Sequence, residues 1–454
     1  MSARSIHRRC SRAALLVAVL ASVVVWTSCS RSSTNQASKT TIRLWHFWSE
    51  PVQRNALQLL VKNFEQEHPD LIVELTELSW TDGKAKLQSA FATGTAPDIV
   101  HLGLEWVQEF ASAGVLLALD SQLVQSVPDN VRSSVSTGTN VYAMPWVMNT
   151  RALFVRNDVL QAATARSSRG TAAASVHLQM LRTICSEQLK NATIGVQSFE
   201  PHNVLKKVLP FLWSSGSRIF STVPLSASVD SNAVAGLEEY CAWARAGIIE
   251  PSRMLDARLR RRELGVWISG MWNLSDTAIT NHYTVMPLFP TVSGEISGAL
   301  SEAVSEVVSE AASNVLRNAL RNALRGSSIC SADCFALSAS TSVASGAKLL
   351  LQYLSSPGSE LQFCALVPDA GFPCTNIDTK DTGVSMRTVF NRPLARNFYA
   401  QVQASIVLPS PPYFLQAEEI LEQEVMEAVY ARKTPSRALQ EARQRLAVLE
   451  ATPR

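Results

Sequence analysis

The sequence predicts an α/β fold in which mainly parallel sheets carry helices on both faces, and three observations predict it. From Thr41 to Gly114, apolar runs of strand length alternate with stretches of helical spacing in the order βαβαβα, the pattern of a parallel sheet with crossover helices. The chain has 454 residues, against roughly 100–200 for an ordinary domain, so two or three units are expected. Apolar residues make up 46% and charged residues 17%, which suits sizeable cores and excludes a disordered chain.

The chain opens with Arg4, Arg8, Arg9 and Arg12, followed by an apolar run from Ala13 to Trp26 broken only by Ser22, then Thr27-Ser28-Cys29. A basic stretch, a short apolar stretch and small residues make an export signal, and the run is shorter than the ~20 residues that span a bilayer. The cysteine after small residues resembles the end of a bacterial lipoprotein signal. That resemblance implies removal of residues 1–28, with Cys29 lipidated as the new N-terminus. Loss of those four Arg turns the formal charge of +3 into 37 basic against 38 acidic residues, so the basic balance belongs to the targeting segment. Nothing in this charge pattern resembles the basic stripe of a nucleic-acid binder. Residues 29–40 are mostly small and polar and read as a tether.

The first strand covers Ile42–Trp45. Val52, Ala56, Leu59, Leu60 and Phe64 have helical spacing, and the helix over 51–66 stops before His68-Pro69-Asp70. Leu71–Leu78 alternates as a second strand, 82–93 is helical, and Gly94-Thr95-Ala96-Pro97 breaks it. Asp98–Leu102 is the third strand, and a helix over 104–113 ends at Gly114. Ligands of such sheets bind beyond the carboxyl ends of strands, here the loops His46–Glu50 and Gly103–Trp106. The Ala/Ser-rich stretch 160–180 reads as a variable loop or frayed helix. Order returns with Ile194-Gly195-Val196, helices over 203–213 and 232–246, a strand over 283–288, and two helices between Ala417 and Leu449 divided at Pro435.

Residues 301–325 form a repeat of period four, with Glu at 302, 306 and 310 and Arg at 317, 321 and 325. Residues four apart are neighbours on a helix, and acids before bases match the helix dipole. A period of four overshoots the ~3.6 residues of a helical turn, so the apolar stripe drifts around the helix. Two readings stand: a low-complexity insertion, or a docking helix for a partner. Six of the eight Cys lie in the body of the chain, and Cys364 and Cys374 flank a turn across which a disulfide is open beside the alternative of free buried thiols. No phosphate loop, dinucleotide fingerprint, HExxH or nucleophile elbow is present, and the seven His are scattered. No metal or cofactor is expected.

Thr41–Trp48 (TIRLWHFW), Phe64–Pro69 (FEQEHP), Phe91–Val100 (FATGTAPDIV) and Gly114–Asp120 (GVLLALD) resemble the opening lobe of family 1 extracellular solute-binding proteins. The resemblance continues through Tyr142–Asp158 (YAMPWVMNTRALFVRND), Leu209–Gly216 (LPFLWSSG), Ile268–Asn273 (ISGMWN), Ala347–Pro357 (AKLLLQYLSSP) and Gly371-Phe372-Pro373. It departs at 160–180 and at the repeat. These maltose-binding-protein-like receptors serve ABC importers of sugars. The resemblance implies a two-lobe, clamp-like periplasmic-binding-protein fold with hinge crossings at 147–152 and 330–334. One lobe holds 41–147 plus 333–385, the other 152–330 plus 390–454.

A sugar offers apolar C–H faces to aromatic rings and hydroxyls to carboxylates and amides. On the implied fold the candidate ligand-binding residues are Trp48 and Glu50 after the first strand, Glu105 after the third, and Trp146 and Asn149 at the first crossing. Trp213 and Trp272 come from the second lobe, and Phe372 from the Gly-Phe-Pro turn. Trp272 stands where the family presents its aromatic platform. Arg151 is read as a structural ion pair, and Trp45, Trp80, Trp243 and Trp267 as core or surface. The expectation is a monomeric, exported lipoprotein of the periplasm or cell envelope. It binds a mono- or oligosaccharide and delivers it to ABC permease subunits with a cytoplasmic ATPase. The alternatives are a secreted carbohydrate-active enzyme and a surface lipoprotein that keeps the fold for adhesion.

Overall fold

The computed structural model describes residues 39–166, 193–195, 204–221, 223–245, 255–286, 288, 328–375, 395, 398, 401–402 and 405–452. The signal, Cys29 and most of the tether lie outside the described residues, as do residues 167–180 and the 301–325 repeat. Twelve strands are described. β1 (Thr40–His46), β2 (Leu71–Glu77) and β3 (Ile99–Gly103) come first, then the short pair β4 (Ser136–Thr137) and β5 (Asn140–Val141). β6 (Met144–Arg156), β7 (Thr193–Gly195), β8 (Leu264–Gly270) and β9 (Tyr283–Met286) follow, and β10 (Ile329–Leu337), β11 (Phe372–Pro373) and β12 (Ile406–Val407) complete the set.

The opening unit forms for local reasons. Pro51 occupies the first helical turn, where its missing N–H costs nothing. The Glu50 N–H donates to Gln53 Oε1 at 3.3 Å. Ala56, Leu57, Leu60, Val61 and Phe64 then bury one stripe of the helix Pro51–Glu67 against the sheet. β1 pairs in parallel with β2 and with β3. All five residues of β3 are buried, as a strand covered on both faces requires.

The main sheet runs β2-β1-β3-β10-β6-β8-β7, with β9 and β11 added on β6 and β12 on β10. The expected parallel pairing holds at the two ends, β2-β1-β3 and β7-β8. The middle differs: β10 runs antiparallel to both β3 and β6, and β6 runs antiparallel to β8. The reason is that β6 and β10 are long strands passing from one half of the molecule to the other in opposite senses. Residues 147–152 and 330–334 lie on these two paired strands, joined for example at Cys330↔Thr150. The crossing carries a satisfied polar knot, in which Thr150 Oγ1 donates to the Ile329 carbonyl at 2.8 Å and Ser328 Oγ donates to the Arg151 carbonyl at 2.8 Å.

Two apolar cores flank this arrangement. The first gathers Leu44, Phe47, Leu57, Leu102, Trp146, Phe335 and Phe363. The second gathers Val208, Leu212, Ile219, Leu237, Val266, Leu421 and Leu446 around the helices Leu205–Ser214, Ser231–Arg245, Phe414–Val429 and Pro435–Ala451. Gly236 lets two of these helices touch, since a Cβ there would lie 2.5 Å from Leu212 Cα. Cys364 and Cys374 are separate buried thiols, so the disulfide left open between them is not formed.

His46 is fully buried with neither ring nitrogen hydrogen-bonded. Burial, reinforced by nearby His101 and only partly opposed by Glu77, lowers its pKa to about 4 from 6.5. Between those two values the unfolded chain takes up a proton that the native state refuses. Stability therefore falls as pH drops from about 6.5 to about 4, by about 3 kcal/mol in total. Urea unfolding at a series of pH values checks this: the wild type should lose stability across that window relative to His46→Leu.

Candidate ligand-binding site

The site is built on the face of the crossing strands. The β10–β6 register sets Ser331 opposite Asn149 and Asp333 opposite Val147. Opposed residues share a face, and so do residues two apart along a strand. Asn149, Arg151, Ser331 and Asp333 therefore lie on one face. β3 adds His101, whose Nε2 lies 3.1 Å from Asp333 Oδ1. The Phe47 N–H donates to His101 Nδ1 at 3.1 Å, which leaves the ring proton on Nε2, pointing at Asp333.

Glu105 overhangs this floor from the turn Leu104–Trp106, just past the carboxyl end of β3. Ser331 Oγ donates to its Oε2 at 2.9 Å, and the Lys206 ammonium donates to its Oε1. Lys206 stands in the first turn of the helix Leu205–Ser214, on the other core. That turn is fixed by Glu422, whose Oε1 accepts from the Val204 and Leu205 N–H groups at 3.0 and 3.3 Å. The helix Phe414–Val429, which carries Glu422, also packs on Leu104–Trp106. Burial is the largest single influence on Glu105 and works against its ionisation, but the Lys206 charge and the hydrogen bonds from Lys206, the Glu105 backbone and Ser331 together outweigh it and hold the carboxyl at about 2.

Trp272 supplies an open ring. It follows β8 in the turn Met271–Asn273 and is 43% exposed. The Arg151 guanidinium carbon lies 4.4 Å from its ring centroid, so one face is occupied by a cation and the ring is held in place. Gly270 makes room for this, because a Cβ there would sit 1.9 Å from the ring. Arg151 is thus stacked, a correction to its reading as an ion pair. Burial lowers the guanidinium to about 10, opposed by the charges of Glu105 and Asp333, so it stays charged at neutral pH.

A second aromatic shelf lies at the carboxyl ends of β1, β2 and β3. Trp80 is 51% exposed and stacks on Phe47 at 4.3 Å, and Trp106 meets both, at 5.6 and 5.7 Å. Trp80 follows β2 as Trp48 follows β1, so the same position beyond a strand end marks it. Lys206, by contrast, gives no signal in the sequence.

The structure brings together Glu105, Asn149 and Trp272 of the residues expected from sequence. The others sit elsewhere. Trp146 is fully buried, and its Nε1 donates to the Leu354 carbonyl at 2.8 Å. Phe372 is buried in the first core on β11. Trp213 is buried in the second, with Nε1 donating to the Ile219 carbonyl at 2.7 Å. These three rings have no open face to offer a ligand, because neighbouring strands and helices cover both sides. Trp48 is also buried, stacked on His101 at 5.3 Å, though its Nε1 has no hydrogen-bond partner. Glu50 is exposed and serves as the cap of the helix Pro51–Glu67. Among the described residues, no group of three or more His, Cys, Asp or Glu could hold a metal, and no helix is long and apolar enough to cross a membrane.

The two-lobe α/β fold is shared with solved solute-binding proteins of ABC transporters. Residues 49–168 match the family described as bacterial extracellular solute-binding protein, as the sequence motifs led one to expect. An uncharacterised lipoprotein of Streptomyces antibioticus is 29% identical over 130 residues, which is 28% of this chain and 29% of that protein. The match thus spans under a third of that relative's length. Among solved structures, the GacH receptor of Streptomyces glaucescens, determined unliganded and with acarbose, superposes with a TM-score of 0.69 at 17% identity, covering 90% of this chain and 98% of the other. An ABC transporter solute-binding protein of Thermotoga lettingae, bound with α-D-tagatose, gives 0.69 at 16% identity over 90% and 99% of the two chains.

Proposed function

We propose that this protein is an exported, lipid-anchored receptor that binds a mono- or oligosaccharide between its lobes and delivers it to an ABC permease driven by a cytoplasmic ATPase. The observation that carries the reading is the half-exposed Trp272 ring stacked on Arg151, which feels the Glu105 charge and shares a sheet face with Asn149 and Ser331. An aromatic face next to hydrogen-bonding groups of both signs suits a sugar, which is apolar on one face and hydroxylated at its rim. Trp80 and Trp106 offer a second aromatic area beyond the carboxyl ends of β1, β2 and β3. The lobes on this reading are 41–147 with 333–385 and 152–330 with 390–454, hinged on β6 and β10. Residues 1–28 are the signal, Cys29 carries the lipid and 29–40 form the tether. Sugar ligands of the structural neighbours and the lipoprotein relative support it.

The test is a thermal-shift scan of residues 30–454 against sugars, polyols and glycerol phosphates. A ligand held only by the native state at 100 times its Kd adds about 2.7 kcal/mol of stability, which raises Tm by several degrees. No shift with any neutral sugar would overturn the reading, and turnover of a sugar would replace it with an enzyme.

A further inference from the structure

We infer that Lys206 sets the charge class of the ligand: by neutralising Glu105 from the opposite wall, it makes the cleft select uncharged polyhydroxy molecules over sugar acids and amino sugars. This rests on the sugar reading above. The cleft floor holds two anions, Glu105 and Asp333, and two cations, Arg151 and Lys206. None is freely solvated: Glu105 and Lys206 side chains are 14% and 17% exposed, and Arg151 and Asp333 are buried. Glu105 is bound by Lys206, Asp333 accepts from His101, and Arg151 stacks on Trp272 within the field of both carboxylates.

Such a floor has no uncompensated charge to attract an ion, and a ligand charge brought into it is poorly screened and unpaired. Hydroxyls meet no such barrier. Each Glu105 oxygen accepts one described bond and has a further lone pair, and the Lys206 ammonium has donors beyond the one given to Glu105. The pair also links residues of the two cores, so the opposite wall completes this charge balance. Lys206 is therefore a specificity-determining residue that acts through Glu105 as well as on the ligand.

Binding of D-glucose, D-glucuronate and D-glucosamine, measured by calorimetry at neutral pH, tests this on wild type, Glu105→Gln, Lys206→Met and the double variant. Wild type and double variant should prefer glucose over both ions. Glu105→Gln, left with an excess cation, should gain ~10-fold or more for glucuronate relative to glucose, and Lys206→Met the same for glucosamine. An unchanged order of preference in the single variants, or a wild type that prefers an ion, overturns the proposal. A double-mutant cycle on unliganded unfolding adds a readout free of ligand: absence of coupling between the two positions also overturns it. Should wild type bind no neutral sugar in the wider scan, the sugar reading fails, while the variants' response to the two charged probes still decides the charge rule.

Discussion

Replacing Trp272 with alanine is expected to weaken sugar binding by ~30-fold or more, the loss of about 2 kcal/mol typical of a central aromatic anchor. The unliganded protein should barely notice. The ring is already 43% exposed and its main partner is the Arg151 guanidinium. An exposed cation–π contact is worth about 0.5–1 kcal/mol, so the midpoint of unfolding should fall by only a few degrees. Trp272→Phe should recover part of the affinity, since a smaller ring still covers a C–H face. Isothermal titration with the best sugar from the thermal scan, beside calorimetric unfolding of the free protein, separates the two effects. Affinity unchanged in Trp272→Ala would remove this ring from the site.

As a candidate, Trp272 is legible in the sequence because it stands at the carboxyl end of a strand and in a recognisable motif. Glu105 is a legible candidate for the first of those reasons. The opening βαβ unit was legible because its causes are local: Pro51 and Glu50 start the helix, a regular stripe buries it, and short apolar strands alternate with it. What the sequence hid depends on packing between distant segments. Lys206 is 101 residues from Glu105, and no periodicity marks it as a partner. From sequence alone, its place at a crossing makes Trp146 a cleft candidate. The crossing, however, is the middle of a sheet, paired on both sides by β10 and β11, so the ring is enclosed. Trp213 is enclosed for a similar reason: it ends a helix, but its indole folds back to Ile219 into the second core. Trp80 follows β2 as Trp48 follows β1, so its position beyond a strand end is legible in the sequence, while its exposure is set by packing on Phe47 and Trp106.

Trp146→Ala should show the reverse of Trp272→Ala. The Trp146 ring is fully buried among Phe363 at 4.3 Å, Phe335 at 4.8 Å and Trp48 at 6.2 Å. Truncation removes those contacts and leaves a cavity, at a cost of about 3–5 kcal/mol for a buried Trp. It also strips the Leu354 carbonyl of the indole N–H at 2.8 Å, a bond that ties β6 to the helix Ala344–Leu354. Against the 5–15 kcal/mol that ordinary domains possess, such a loss leaves the first core close to unfolding at growth temperature. Urea unfolding followed by tryptophan fluorescence should show a large fall in the midpoint. At low temperature, where the variant still folds, sugar affinity should stay within a few-fold of wild type, because Trp146 has no face in the cleft. A variant that kept its stability but lost its sugar would mean that Trp146 reaches the ligand after all, in a more open state of the clamp. Trp146 and Trp272 thus make opposite predictions from one physical variable, the fraction of the ring left open to solvent, and measuring both on the same preparation tests the site and the core together.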